Sequence, residues 1–125
     1  MLDPQALQPG FPPSLDDPVE IAAWVETLSP YEVDAERIEE MFTGCRAVLR
    51  SVDLTTLSIN EDINIPDAHR QSECDRLPIE TTPPILVEEG KIIDGGHRCR
   101  SLIARGQHVW LAYVIEDAPL MGLTP

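Results

Sequence analysis

Residues 83–106, PPILVEEGKIIDGGHRCRSLIARG, constrain the fold more than any other part of the chain. Two prolines lead into the apolar triplet Ile85-Leu86-Val87, Glu89-Gly90 supplies a tight turn, and Ile92-Ile93 begins the return, which together describe a β-hairpin. The returning strand hands over at Asp94-Gly95-Gly96-His97-Arg98 to a short amphipathic run. That run is expected to turn Cys99, Leu102 and Ile103 inward, with Gly106 as its stop. A last strand is expected over VWLAYVI, about residues 109–115, and an earlier one over AVLRSVDL, residues 47–54.

Upstream the pattern is helical. Asp17 precedes Pro18, and Glu20 stands three residues after the cap, an acidic form of the capping box. Ile21, Trp24, Val25 and Leu28 then recur at the spacing of one helix face. After Ser29-Pro30, Asp34 can cap a second helix whose inward face is Ile38, Met41, Phe42 and Cys45, with Gly44 near its end. This divides the chain into an extended tail (1–15), an acidic helical hairpin (16–45), a sheet-containing unit (46–118) and a closing tail (119–125). Residues 1–15 hold four prolines and a glycine with no periodicity, and no structure is assigned to them. Residues 60–84 form a polar, proline-broken connection, long enough to suggest function.

Charge narrows the partners. Residues 1–44 carry ten Asp and Glu against one Arg, a net −9, within a formal total of −13. Gripping duplex DNA through its phosphates needs clustered Lys and Arg, which are sparse here, so direct duplex binding is not expected. An acidic surface suits solubility, a basic partner, or imitation of a nucleic-acid backbone. Three cysteines without a C-x-x-C pattern indicate reduced thiols, and neither a disulfide framework nor a zinc site. No apolar run reaches the roughly 18 residues of a membrane span, and residues 1–13 do not read as a signal peptide, so a cytoplasmic setting is expected.

The chemistry concentrates where strand gives way to helix. A helix start leaves backbone N–H groups unpaired and carries partial positive charge, so it suits an anion. Glycines let a phosphate approach the backbone. Arg98 offers a planar fork for phosphate oxygens, and His97 can donate a hydrogen bond or move a proton near neutral pH. The plainer reading of the same residues is a tight glycine turn with a histidine bonded to backbone and solvated arginines.

The succession P-P-I-L-V, hairpin, I-I-D-G-G-H-R, short helix ending in R-G, and final strand H-V-W-L-A-Y-V-I resembles the core of the ParB/sulfiredoxin superfamily. The resemblance spans about residues 47–116 and is most specific over 83–106; residues 1–44 have no counterpart. It implies a small α+β fold, with a short mixed sheet and helices, that binds ATP, ADP or CTP. By the same resemblance Gly95, Gly96, His97 and Arg98 would hold phosphate, Arg70 would add a basic side chain from the long connection, and Asp94 would orient the turn or a Mg²⁺ ion. His97 and Asp94 are then the candidate catalytic residues of an ATP- or ADP-dependent phosphotransferase or nucleotidase. Two departures bear on activity. Sulfiredoxin places a cysteine directly before its histidine, where this chain has Gly96; Cys99 lies two residues beyond His97. The G-E-R-R box and DNA-binding helical domain of partition proteins are missing.

Other residues are weighed more simply. His69 and Arg70 lie in the long connection, Thr81 and Thr82 either donate to a phosphate or end a loop, and Asp67, Glu73, Glu80 and Asp94 are possible general bases. Trp24 and Trp110 fall on apolar faces and suit a core. The alternative function is a non-enzymatic inhibitor or interaction protein. In it the acidic residues Glu32, Glu36, Glu39 and Glu40 bind a basic surface, such as that of a nucleic-acid-binding protein.

Overall fold

A computed structural model describes residue 3 and residues 10–28, 34–59 and 67–118. The fold is α+β. Helix α1 (Pro18–Leu28) opens as the sequence predicts: Asp17 Oδ1 accepts the Glu20 N–H at 2.9 Å, and the Glu20 carboxylate reaches back to the Asp16 N–H. Helix α2 (Ala35–Met41) begins at Asp34, whose side chain accepts the Arg37 N–H. It stops before the expected inward face is complete. Gly44 takes φ +78° and turns the chain, so Met41 is exposed, Phe42 is fully buried just past the helix, and Cys45 already starts a strand.

That strand, β2 (Cys45–Asp53), starts two residues earlier than expected and ends when Asp53 caps a 3₁₀ turn over Leu54–Thr56. The Asp53 carboxylate accepts both the N–H and the hydroxyl of Thr55. The supposed tail is anchored from residue 11 onward. Ser14–Leu15 forms β1, antiparallel to Ala47 and Val48, while the carbonyls of Pro12 and Pro13 accept from Tyr113 Oη at 2.8 Å and Leu49 N at 2.9 Å. Prolines lack an N–H, and at a sheet edge that lack costs nothing.

Downstream, Ser58–Ile59 is β3. Helix α3 (Ala68–Arg76) fills the middle of the polar connection. Strands β4 (Ile85–Glu88) and β5 (Lys91–Asp94) make the expected hairpin, with Glu89 at φ +49° and Gly90 at φ +76°, the positive angles such a turn demands. Helix α4 (Gly96–Ala104) follows, then β6 (Val109–Asp117), two residues longer than expected.

The strands form one sheet in the order β1-β2-β6-β4-β5-β3, antiparallel except where β4 meets β6 and β3 meets β5. β6 sits inside it, and its alternation serves two faces. Tyr113 and Ile115 join Ile21, Val25 and Phe42 beneath α1 and α2, whereas Trp110 and Ala112 join Ile85, Cys99 and Leu102 beneath α4. Ile103, expected inside, is 37% exposed because α4 buries its other side. Among the described residues no helix is long and apolar enough to cross a membrane.

Candidate functional site

The junction of β5 and α4 is built on Gly95. It is the N-cap of α4 at φ +100°, and a Cβ there would stand 2.7 Å from Ile85 Cγ2 and 2.8 Å from Arg98 Nη2. Backbone conformation and space therefore both demand glycine. Gly96, the first helical residue, is buried as well.

Arg98 does not point outward as a solvated fork. One turn into α4, it folds back so that Nη2 donates to the Pro84 carbonyl at 3.1 Å and to Asp94 Oδ2 at 3.3 Å. The two side chains are only 14% and 20% exposed, so the pair braces the entry to β4 against the exit from β5. Asp94 is thereby engaged by Arg98.

His97 faces α3. Its Nε2 accepts the backbone N–H of Asp67 at 3.0 Å, and its carbonyl accepts from Gln71 Nε2 at 3.0 Å. Asp67 is the N-cap of α3, with its carboxylate accepting the N–H groups of His69 at 2.9 Å and Arg70 at 3.2 Å. These bonds, that from Arg70 foremost, hold the Asp67 carboxyl below the usual carboxylate range. The starts of α3 and α4 thus meet at one corner, and Arg70, half-buried in the first turn of α3, comes to the same corner.

The opposite ends of these helices are joined by a residue that the sequence reading passed over. Arg105 donates to the carbonyls of Leu77 at 2.6 Å and Cys74 at 3.2 Å, satisfying carbonyls at the end of α3. Its position just before Gly106, past the last turn of a helix, is the signal that would have found it. Between these ends lies a cavity of about 50 Å³ lined by Cys74, Thr82, Pro83, Arg98, Ser101 and Arg105.

Several candidates take structural roles. Thr81 donates its hydroxyl to the Pro78 carbonyl at 2.7 Å, and Thr82 is buried with its carbonyl accepting from Trp110 Nε1 at 3.1 Å. His69 pairs with Glu73 at 2.9 Å along the exposed side of α3. Burial pushes the Cys74 and Cys99 thiols up, away from the reactive thiolate. Among the described residues, no three His, Cys, Asp or Glu side chains are grouped so as to hold a metal ion.

The acidic candidates lie elsewhere. Glu36 and Glu40 are exposed and Glu39 half-buried on α2, whereas Glu32 lies outside the described residues. α1 and α2 cover the sheet face opposite α4, so the two candidate surfaces are not brought together.

No protein-family model matches the chain, and neither a curated protein nor a solved structure matches it significantly.

Proposed function

We propose that this is a nucleotide-binding protein of the ParB/sulfiredoxin type, which receives phosphate at the corner where α3 and α4 begin. The observation that carries the reading is the junction itself: a strand end, a left-handed Gly95 that admits no side chain, and a helix start beside a second helix start. The start of α4 carries partial positive charge at that corner, while the start of α3 is capped by the Asp67 carboxylate. Arg70 and His97 stand at that corner, and Arg98 keeps it in shape; to touch phosphate itself, Arg98 would have to release Asp94 or Pro84.

ATP or ADP is the favoured ligand. It would lie along the surface of that corner. A Mg²⁺ ion would arrive on the phosphate oxygens, because the described side chains build no site of their own. His97 and Asp94 remain the candidates for proton movement and orientation in a phosphotransferase or nucleotidase. A cytoplasmic setting belongs to the same reading, supported by three cysteines free of disulfides.

Calorimetric titration with ATP, ADP and CTP in the presence of Mg²⁺ tests this reading, beside Arg70→Ala, His97→Ala and Arg98→Ala variants whose folding is checked by circular dichroism. Binding in the micromolar range that weakens in folded variants is the expected outcome. A folded protein that binds none of the three nucleotides would dispose of it.

A second reading has its own observation. α2 buries none of its residues and carries Glu36, Glu39 and Glu40. In that reading α2 docks on a basic protein, and the affinity falls steeply with added salt. Substituting these three glutamates by glutamine abolishes such binding and leaves nucleotide binding intact.

A further inference from the structure

The bond between α3 and α4 at their N-terminal ends depends on the protonation of one ring nitrogen. An imidazole nitrogen accepts a hydrogen bond only while it carries no proton. The Asp67 N–H donates to His97 Nε2 at 3.0 Å, so the ring is neutral and its proton sits on Nδ1. The other ties are indifferent to acid in this range: Gln71 holds the His97 carbonyl, and Arg105 holds the carbonyls of Cys74 and Leu77.

We infer that His97 is a pH-sensitive clasp, closed when neutral, whose protonation frees the N-cap of α3 at Asp67 from α4 while Gln71 and the far end of α3 stay attached. A proton on Nε2 would set two N–H donors against each other. The closed form takes up no proton there, so the clasp favours the neutral ring, contributes at neutral and alkaline pH, and is lost as acid protonates the ring.

The charged groups of the surrounding elements do not reproduce this behaviour. α3 carries Asp67, His69, Arg70, Glu73, Asp75 and Arg76, the β5 end carries Asp94, β4 carries Glu88, the neighbouring 3₁₀ turn is capped by Asp53, and α4 and its end carry Arg98, Arg100 and Arg105. Carboxylates titrate below about pH 5 and guanidinium groups above about 12. Within α3, His69 Nε2 lies 2.9 Å from Glu73, so positive charge on that ring strengthens the pair and acts on the helix with the opposite sign. The clasp requires no bound nucleotide and stands apart from the phosphate reading.

Nuclear magnetic resonance on the full ¹⁵N-labelled chain tests it. Imidazole nitrogen shifts report the tautomer, and amide hydrogen exchange, corrected for its intrinsic pH dependence, reports the helix. The expected result is the Nδ1–H tautomer of His97 at about pH 8. On going to about pH 5, protection at Asp67, His69 and Arg70 falls by at least about tenfold, while that at Leu102 and Tyr113 holds. His97→Gln removes this pH response and His69→Gln retains it. An Nε2–H tautomer at the higher pH, unchanged protection of α3 at the lower, or a response abolished by His69→Gln would each overturn the inference. If His97→Gln fails to fold, the tautomer and the wild-type exchange decide alone.

Discussion

The two faces of the sheet are covered by different physics. On one, α1 is held by apolar burial, and α2, which buries none of its own residues, is held through half-buried Ile38 and through Phe42 just past its end; Ile21 and Phe42 are fully enclosed, and Phe11, Trp24 and Tyr113 stack edge to face with centroids 5.4 and 5.0 Å apart. On the other, α4 sits on an apolar cluster, but α3 outside it buries none of its own residues. Directional hydrogen bonds through His97, Gln71 and Arg105 tie it to α4 and the segment after it. Apolar burial is lost only by large separation, whereas a hydrogen bond is lost by a small rotation or one proton. The polar side is therefore the side built to move.

The strongest way to break the comparison is to hollow out each face in turn. Phe42→Ala and Trp110→Ala should each cost about 3–5 kcal/mol, with a single denaturant transition in both. Two transitions in either variant would mean that the faces do not melt as one unit. Gly95→Ala should cost about 1–3 kcal/mol for backbone strain, and more if Ile85 cannot move aside. Because Ile85 belongs to the cluster beneath α4, amides of α4 should lose more protection than those of α1.

Asp34→Ala removes the cap of α2 and should cost about 1 kcal/mol, read as a shift in the urea midpoint. An unchanged midpoint would show that α2 is held by Phe42 and Ile38 alone. The smallest effect is expected at Glu116. Its carboxyl is held below the usual range, first by the hydrogen bond from Arg46, whose Nη2 lies 2.6 Å from Oε1. A depressed folded-state value contributes stability above the unfolded value, near 4.3, and loses it as pH falls. Glu116→Gln should therefore lower stability slightly at neutral pH, where that contribution is fully present, and flatten stability against pH in the acidic region, where it is lost in any case.

Much of this was legible in the sequence because it is local. The Glu89-Gly90 turn, the Asp17 and Asp34 caps, and the handover at Gly95 each depend on chemistry within a few residues. Helix α3 was not legible. Its cap, Asp67, is as clear as the others, but α3 lacks the apolar period by which a helix is recognised, since what holds it lies about thirty residues away in His97 and Arg105. The strand at Ser14–Leu15 was hidden by prolines that normally argue against strands and here occupy an edge. At the candidate site, the residue types at 94–98 were evident. That Arg98 also reaches the Pro84 carbonyl and that His97 accepts from Asp67 are facts of tertiary packing that spacing does not encode, whereas Asp94 and Arg98 are only four residues apart.

The position of β6 has a consequence for how the chain is made. Among the described residues it is the last strand in sequence, yet it lies between β2 and β4 and joins the strands on either side. Before Val109 leaves the ribosome, the nascent chain can hold β1 with β2, and β4 with β5 and β3, as two sheet fragments, each with an open edge where β6 will insert. Synthesis thus leaves two unpaired edges waiting for one later segment. Chaperone binding, or pairing with another nascent chain, competes for those edges in the interval.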